Sequence, residues 1–542
     1  MKPKSFLLVP WLIAAVAALS AADNWHQPRT ALKCLYNIES LMHCNEDIGA
    51  AKIKWVVEKL RGTDVDAIMC CPTAWRMNMF PSEVDPEWKK FTHIRRIPAF
   101  QPYDHVMQYI HGGGDPVRDQ LEASRDIGAD FFISYRMNDW HNIHDKSFPT
   151  HNAFWREHPE CWLGDADKMG ASDGLRLFNY LMPAVREHYF AIIEELCTRY
   201  DLDGVELDFQ RAPRFFHDGE IDEGRPVMTA FVRKIREMMN RIGKQRGKRL
   251  RLCVRIPDCL PACEKAGLDV SGWDAAGLID MVNLSSFFYH SMEIDLEGVK
   301  AAVKNAKVFG EMNRLYARTT PTFPAGQKAS VNAYNAATFS RGTTFEMYRA
   351  TAQNFLHRGA DGLSLFNLDY VDGDVFNRSQ ARLELPLKRA EMPAVLRGIT
   401  DLRFLEGQSK HYAVYPNGQI QRPSFPAKDE KTLRLTIADD PAKTKFAKAV
   451  LRVETKEDSA AHRIQVLFNG RELRACDVPN TELFEPIHRN AGFPAREKLK
   501  FYSVPLEHIL CGSNEIAITN RDKSKSSLTL FSLEVALYQR SP

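Results

Sequence analysis

Short apolar runs alternate with amphipathic segments along most of the chain. Two of these segments show clear helical spacing, one over residues 185–196 and one over residues 227–242 that opens at Pro226. Eight βα units predict a (β/α)8 TIM barrel, since an open doubly wound sheet would carry a Gly-rich phosphate turn after its first strand. The predicted strands are residues 33–39, 66–72, 130–137, 203–209, 249–256, 278–287, 306–313 and 359–368.

The pattern changes after about residue 395, where helical periodicity fades and short alternating strands take over. Turn signals such as Asn469-Gly470 separate them. We therefore predict a barrel domain over residues 23–394 and an antiparallel β-sandwich of jelly-roll type over residues 395–542. Such an appendage either binds carbohydrate or buttresses the barrel. The predicted strands are "TLRLTIA" (432–438), "AVLRVET" (449–455), "RIQVLFNG" (463–470), "KLKFYSV" (498–504), "NEIAITN" (514–520) and "TLFSLEVALY" (529–538).

The composition and the N-terminal residues allow predictions about binding partners and cellular location. The 542 residues are 44% hydrophobic and carry a net charge of only +3, so nothing calls for a nucleic-acid partner. Lys2 and Lys4 precede an apolar run that ends in small residues, which predicts a signal peptide over residues 1–22. The mature protein is then secreted or periplasmic and does not contact the membrane; a retained membrane anchor is the alternative.

Cysteine supplies no predicted site. The number of cysteines, 11, is odd, and Cys34–Cys44 or Cys259–Cys263 could close small disulfide loops in an oxidising compartment. No cluster has the spacing of a zinc site, so we predict no metal and no cofactor.

Candidate chemistry lies in the run "YDLDGVELDFQR" (200–211), at the fourth predicted strand. Strand alternation places Glu206, Asp208 and Gln210 on one face, and TIM-barrel active sites form at the C-terminal ends of the strands. Glycoside hydrolysis needs two carboxyl groups. Asp208 and Glu311, on strands four and seven, are the predicted catalytic pair, and Glu206 lies deeper and tunes the pKa of its neighbour. Structural ion pairs with nearby arginines are the alternative reading of all three carboxylates.

The same rim carries aromatic and polar side chains that suit a sugar. Aromatic rings stack on pyranose faces, while amide, arginine and histidine side chains bind hydroxyls or an anionic substituent; taken singly, each aromatic also fits a core position. We predict substrate binding by Asn37, Glu39, Trp75, Tyr135, Arg136, Asn138, Trp140, His141, Gln210, Arg211, Asn283, Tyr289, Asn313, Asn367 and Asp369.

"DGVELDF" (203–209) resembles the fourth-strand DG-x-x-x-D element of TIM-barrel glycoside hydrolases, and residues 30–390 resemble the glycosyl-hydrolase-like family ten barrels. In similar chitinase-like barrels this strand ends in a catalytic glutamate. Here that position is Gln210, whose amide cannot act as a general acid, so the role passes to Asp208. The resemblance to the four/seven superfamily implies Glu311 as nucleophile.

The expected function is hydrolysis of O-glycosidic bonds in a polysaccharide or oligosaccharide, neutral or anionic. A non-catalytic carbohydrate-binding barrel is the main alternative, and lyase chemistry on a uronic-acid polymer is another. Two further motifs are set aside. "GASDG" (170–174) lacks the strand that an esterase nucleophile needs, and "HGGG" (111–114) leads into a helix capped by Asp115 with Pro116 in its first turn. "HNIH" (141–144) is a weak metal signal without a third ligand, for which His217 and Asp218 are the candidates.

Overall fold

Eight parallel strands close into a barrel, which confirms the predicted fold. Each strand pairs with the next along the chain, and β8 closes on β1. The strands are β1 (Cys34–Glu39), β2 (Ala67–Cys71), β3 (Asp130–Arg136), β4 (Gly204–Asp208), β5 (Arg251–Pro257), β6 (Met281–Ser285), β7 (Lys307–Asn313) and β8 (Gly362–Phe366). The computed structural model describes residues 25–39, 49–90, 101–165, 175–287, 290–319, 339–366, 368, 392–414, 424–425, 429–441, 443–444, 446–456, 462–485, 496–521 and 527–540.

Helices follow the strands, and both helical segments read from the sequence are present. Val185, Ile192 and Leu196 are buried on the first, and Asp115 caps the helix after "HGGG" through its side chain. The second begins at Ile221, so Pro226 lies inside it, not in its first turn. The helices are α1 (Ala50–Glu58), α2 (Glu87–Lys90), α3 (Gln101–His111), α4 (Pro116–Ile127), α5 (Ala153–Glu157), α6 (Pro183–Arg199), α7 (Ile221–Arg246), α8 (Leu260–Lys265), α9 (Val270–Ala275), α10 (Leu296–Ala302), α11 (Phe345–His357), α12 (Met392–Leu396) and α13 (Leu402–Leu405).

The barrel interior is divided between apolar and charged side chains. Inward positions near the strand starts form an apolar cluster that includes Leu35, Met69, Phe132, Met281 and Phe309. Two or more residues further along the same strands, the inward positions become polar or charged. This change from apolar to polar confines any chemistry to the C-terminal half of the barrel interior.

The C-terminal region is a pair of antiparallel sheets, as predicted for a β-sandwich. One sheet is built on the order β9–β15–β11–β13 and the other on β10–β14–β12. The boundary expected between residues 394 and 395 stays a prediction; Leu396, Ile399 and Leu405 still belong to the barrel core. The strands are β9 (Lys410–Val414), β10 (Glu430–Ile437), β11 (Phe446–Thr455), β12 (Ile464–Phe468), β13 (Leu499–Val504), β14 (Gly512–Asn520) and β15 (Leu528–Gln539).

Helix α11 joins the barrel to the sandwich. Its Met347 and Ala350 belong to the hydrophobic cluster of the sandwich. Gln353 donates hydrogen bonds to the carbonyl of Ala438 (3.2 Å) and to Asp439 (2.9 Å). The two domains therefore share a continuous core along this helix.

The predicted disulfides and the predicted signal peptide can be compared with the structure only in part. Cys34, Cys259 and Cys263 are free thiols, so the Cys259–Cys263 pair does not form, and Cys44 lies outside the described residues. The predicted signal peptide also lies outside them. Within the described ranges, no helix has the length and apolar character that crossing a bilayer requires.

A buried ion pair at the interface gives a stability prediction. Lys410 and Asp439 are both fully buried, with Nζ 3.1 Å from Oδ1. Lys410→Met leaves a carboxylate buried without its counter-charge, so we expect a loss of about 3–5 kcal/mol in the free energy of unfolding. The midpoint of urea unfolding, followed by near-UV circular dichroism, measures it.

The matched control is Lys443→Met, because Lys443 pairs with Asp440 on the surface and its side chain is 82% exposed. We expect no measurable change in the urea midpoint there, because solvent screens this surface pair. Adding Asp439→Asn to Lys410→Met should recover part of the loss. Equal losses for the two lysine variants would contradict this account of the interface.

Candidate active site at the barrel mouth

Strand β4 places two carboxyl groups inside the barrel. Glu206 and Asp208 face inward, while Val205 and Leu207 belong to the outer core. The first residue of the strand has to be a glycine, because a Cβ on Gly204 would lie 2.2 Å from the Phe132 ring. The sequence "DGVELDF" therefore brings β4 close to β3 and aligns its acids toward the mouth.

Arg255 on β5 joins Asp208 to Glu311. Its Nη1 donates to both oxygens of Asp208 (3.0 and 3.1 Å), and its Nε and Nη2 donate to Glu311 (2.5 and 2.9 Å). Ser285 and Asn313 also donate to Glu311 Oε1, at 2.5 and 3.1 Å. The predicted catalytic pair thus meets at one guanidinium, and both oxygens of Glu311 are occupied.

Asp208 is the more accessible member of this pair. It is 3% exposed, whereas Glu311 and Arg255 are fully buried. Backbone N–H groups of Gln210 and Arg211 donate to its Oδ1 at 3.0 and 3.1 Å. Its Oδ2 accepts from Arg255, which leaves room for a further donor on that oxygen.

A second ionic layer lies at the rim. Arg136 donates to Glu39 and to Asp139 (2.9 Å), and Arg211 Nη1 lies 3.2 Å from Glu39. Asp139 accepts from His141 Nδ1 at 2.6 Å, and Arg211 Nη2 lies 2.9 Å from His141 Nε2. Opposite charges alternate around this layer, so the rim has little net charge and does not by itself select an anionic ligand.

Burial and neighbouring charges shift the pKa values of the mouth carboxyl groups in different directions. Burial, together with the charge of Asp208, raises the pKa of Glu206 to about 7. Glu39 is also buried, but Arg211 and Arg136 outweigh that burial and lower its pKa to about 2. The pKa of Asp139 is held well below its usual range, against its burial, by His141 and Arg136. Glu206 can therefore hold a proton near neutral pH, while Glu39 and Asp139 stay ionised.

Among the described residues of the mouth, three buried amide oxygens lack a hydrogen-bond donor. They are Oδ1 of Asn37, Oε1 of Gln210 and Oδ1 of Asn283. The amide nitrogens of the latter two are engaged: Gln210 donates to the carbonyl of Ser285 (2.8 Å), and Asn283 donates to Glu206 (3.2 Å). Such acceptors fit a ligand rich in hydroxyl or N–H donors.

Two tryptophans flank the rim. Trp140 is 39% exposed, and the ring of Trp75 lies 5.3 Å from that of His141. Trp75 and Asn142 have φ of 56° and 54°, in the left-handed region that residues with a side chain seldom adopt. Strained backbone of this kind concentrates at functional sites.

Other predicted site residues lie elsewhere. Tyr135 points out of the barrel, donates to Asn78 (3.1 Å) and packs on Tyr189. Asn138 bonds the backbone of Phe178 and Arg214, which gives it a structural role. Neither joins the mouth cluster. Tyr289, Asn367 and Asp369 lie outside the described residues.

Three members of the cluster are absent from the sequence-based set: Arg255, Ser285 and Asp139. Residues 251, 253 and 255 share one face of β5, so strand alternation could have pointed to Arg255. Asp139 stands in the polar run after β3 and could have been included with its neighbours. Ser285 ends the sixth strand on the same face as Asn283, so strand alternation points to it as well.

The described residues offer one cluster with metal-ligand geometry, at the opposite end of the barrel. His26, Asp130 and Asp203 bring their ligand atoms within 4.8 Å of one another. Arg251 already binds Asp130, and Arg125 and Lys248 bind Asp203 at 2.5 and 3.1 Å. Cations of the chain thus fill these positions. At the mouth, the two ring nitrogens of His141 are occupied by Asp139 and Arg211.

Comparisons with known proteins concern the fold. No protein-family model and no curated protein matches the sequence. Similar solved structures include a Paenibacillus cycloisomaltooligosaccharide glucanotransferase complexed with cycloisomaltoheptaose (10% identity, TM-score 0.31, covering 93% of this chain and 57% of that one). A cell-surface multi-modular chitinase from Paenibacillus has 10% identity, a TM-score of 0.39 and coverage of 90% and 52%. A maltogenic α-amylase from Thermotoga neapolitana has 12% identity, a TM-score of 0.39 and coverage of 92% and 98%.

This chain spans little more than half the length of the first two proteins. At these identities and TM-scores, the likeness says nothing about what this chain binds or cleaves. Its activity has to be argued from the mouth itself.

The raised pKa of Glu206 predicts a pH dependence of stability. Glu206 has a pKa of about 7 in the folded state, whereas in the unfolded chain it loses its proton near the ordinary glutamate pKa of 4.5. The folded state therefore binds more protons between these pH values, and the free energy of unfolding falls as pH rises through this window. Glu206→Gln should remove this loss, which is on the order of 3 kcal/mol by pH 7.

Urea unfolding of both proteins from pH 4 to pH 8 measures the effect. Glu264→Gln is the control, since Glu264 is exposed on α8 and its substitution should leave the pH dependence unchanged. A constant stability difference between Glu206→Gln and the unsubstituted protein across this range would contradict the assigned pKa.

Proposed function

We propose that this protein is an exported glycoside hydrolase that binds an oligosaccharide or polysaccharide at the barrel mouth. Asp208 is the carboxyl group that contacts the glycosidic bond, and Glu206 beneath it holds a proton near neutral pH. Glu311 is the second carboxylate, oriented by Arg255. Trp75 and Trp140 are the sugar-stacking residues of the rim.

One observation carries this proposal. Glu206 and Asp208 are inward neighbours on one strand, and the charge of Asp208 helps to raise the pKa of Glu206 to about 7. Unequal environments for two neighbouring carboxyl groups are the usual basis of a division into proton donor and charged partner. A proton held near pH 7 is what general-acid catalysis requires at physiological pH.

The proposed ligand class rests on the donors and acceptors of the mouth. The unpartnered oxygens of Asn37, Gln210 and Asn283 need hydrogen-bond donors, which sugar hydroxyls supply. The exposed ring of Trp140 offers a flat apolar face of the kind that packs on a pyranose ring. The alternating charges of the rim favour neither a neutral nor an anionic sugar.

A second candidate function is carbohydrate binding without catalysis. It is favoured by Gln210, which replaces the terminal acid of the chitinase-like motif, and by Glu311, whose oxygens are both engaged. The two candidates share the ligand and differ in turnover, so the release of reducing ends distinguishes them.

Asp208→Asn tests the hydrolase. We expect kcat to fall about 100-fold or more, since the amide neither carries the charge nor exchanges the proton of the carboxyl group. Reducing ends released from neutral, sulfated and uronic-acid oligosaccharides measure turnover. The control is Asp218→Asn, after the same strand, where Asp218 is 89% exposed; its turnover should be unchanged. Full activity in both Asp208→Asn and Glu311→Gln would refute the proposed site.

Trp140→Ala tests the stacking role, which both candidates share. Loss of one stacked ring removes about 0.5–1.5 kcal/mol, so we expect the Kd to rise about 2- to 10-fold by isothermal titration calorimetry. Trp55→Ala is a matched control, because Trp55 is 37% exposed on α1. Equal effects of the two substitutions would place the sugar away from the rim.

A further inference from the structure

His141 is the mouth group most open to solvent among the ionisable side chains of the two ionic layers. Its side chain is 31% exposed, against 5% or less for Arg136, Arg211, Glu39 and Asp139. A sugar that enters the mouth therefore reaches this imidazole before the buried carboxylates below it.

The hydrogen bonds of His141 fix its tautomer. A guanidinium only donates, so Nε2, 2.9 Å from Arg211 Nη2, carries the lone pair. Nδ1 then carries the hydrogen and donates to Asp139 Oδ1 at 2.6 Å. A neutral imidazole held on Nδ1 by a carboxylate is the arrangement of an oriented general base, and the Nε2 lone pair of His141 accepts from Arg211.

The loop that carries this pair is held from below. Buried Arg76 donates to the backbone carbonyls of His141 (2.9 Å) and Asp139. Asn142, the next residue, adopts the left-handed φ of 54°. The contacts of Arg76 thus fix the backbone that presents the imidazole at the rim.

We propose that His141 is a catalytic base of this mouth and that Asp139 is its positioning residue. The inference rests on the proposed hydrolase function and deepens it. Nε2 takes a proton from water, and the water oxygen forms a bond to the anomeric carbon as the glycosidic C–O bond breaks. The leaving oxygen takes the proton held by the Glu206–Asp208 pair. Return of the histidine proton to that pair through solvent restores the starting state.

His141 provides a base that water can reach, which Glu311 does not. The oxygens of Glu311 accept from Arg255, Ser285 and Asn313, and its side chain is fully buried, so water has no approach to it. His141 becomes available once a sugar oxygen takes the hydrogen that Arg211 Nη2 donates to Nε2. Arg211 also donates its backbone N–H to Asp208, so one residue contacts both His141 and the reacting carboxylate.

Charges around the imidazole keep it neutral. Burial, Arg211 and Arg136 lower the pKa of His141, and the charge and hydrogen bond of Asp139 act in the opposite direction. Arg76 and the ring of Trp75 also lie against it. The net lowering leaves the base unprotonated at neutral pH.

His141→Gln is the decisive variant. Its carboxamide can accept from Arg211 and donate to Asp139, which preserves the network, but it cannot take a proton. On the panel oligosaccharide that the unsubstituted protein cleaves, we expect kcat to fall about 100-fold with KM changed less than about threefold. The fall of kcat/KM at low pH, the acidic limb of its pH profile, should disappear. A merely structural role of His141 would not cause this change. His144→Gln, on an exposed position of the same loop, is the control and should retain full activity.

Azide gives a second readout, since it attacks without losing a proton. Azide should restore His141→Gln turnover of the matching 2,4-dinitrophenyl glycoside by about tenfold or more and yield a glycosyl azide. Near-UV circular dichroism confirms the fold of each variant.

The outcomes separate the two proposals. Hydrolysis that Asp208→Asn abolishes but His141→Gln leaves above one-third overturns the base assignment and keeps the hydrolase. Loss of activity in His141→Gln without azide rescue and with an unchanged acidic limb also overturns it. No release of reducing ends from any panel member by the unsubstituted protein overturns both.

Discussion

The ion pairs of one fully buried guanidinium organise the barrel mouth. Arg255 donates to Asp208 on β4, to Ser285 on β6 and to Glu311 on β7, and it lies 3.9 Å from the centre of the Phe366 ring on β8. Desolvating one cation and two carboxylates is costly, and well-packed apolar residues would stabilise a barrel interior at least as well. A charged layer in this position therefore indicates a requirement beyond stability, and orientation of Asp208 is the requirement that the geometry suggests.

Fixed charges leave few groups free to exchange protons. Glu39, Asp139 and the three arginines stay ionised because each is paired with an opposite charge. The pKa of Glu206 is about 7 because burial and the charge of Asp208 raise it more than the hydrogen bonds from Ser134 and Asn283 lower it. Among these carboxyl groups, Glu206 is therefore the one whose burial and neighbours hold a proton near neutral pH.

Eight strand–helix units were enough to predict the barrel, and side-chain alternation along strands predicted the sandwich and placed Glu206 and Asp208 on one face of their strand. The same rule, applied strictly, would have excluded Tyr135 once Arg136 was chosen, because neighbours on a strand face opposite sides. Arg255 was harder to assign, since its role depends on the register that places it beside Asp208 and on contacts with β6 and β7. Those contacts are made with residues 30 and 56 positions further along the chain. The left-handed Trp75 is also invisible to sequence patterns, which associate positive φ with glycine and asparagine.

Helix α11 contacts both the sandwich and the C-terminal end of β7. The carbonyl of Asn313, at the end of β7, accepts hydrogen bonds from Thr343 (2.9 Å) and from Tyr348 on α11 (3.1 Å). The same helix bonds the sandwich through Gln353 and through Asn354, which donates to the carbonyl of Thr436 (3.0 Å). A continuous set of contacts thus runs from the sandwich to the strand that carries Glu311. These contacts connect the appended domain to Asn313 of β7, two residues from the carboxylate that Arg255 binds.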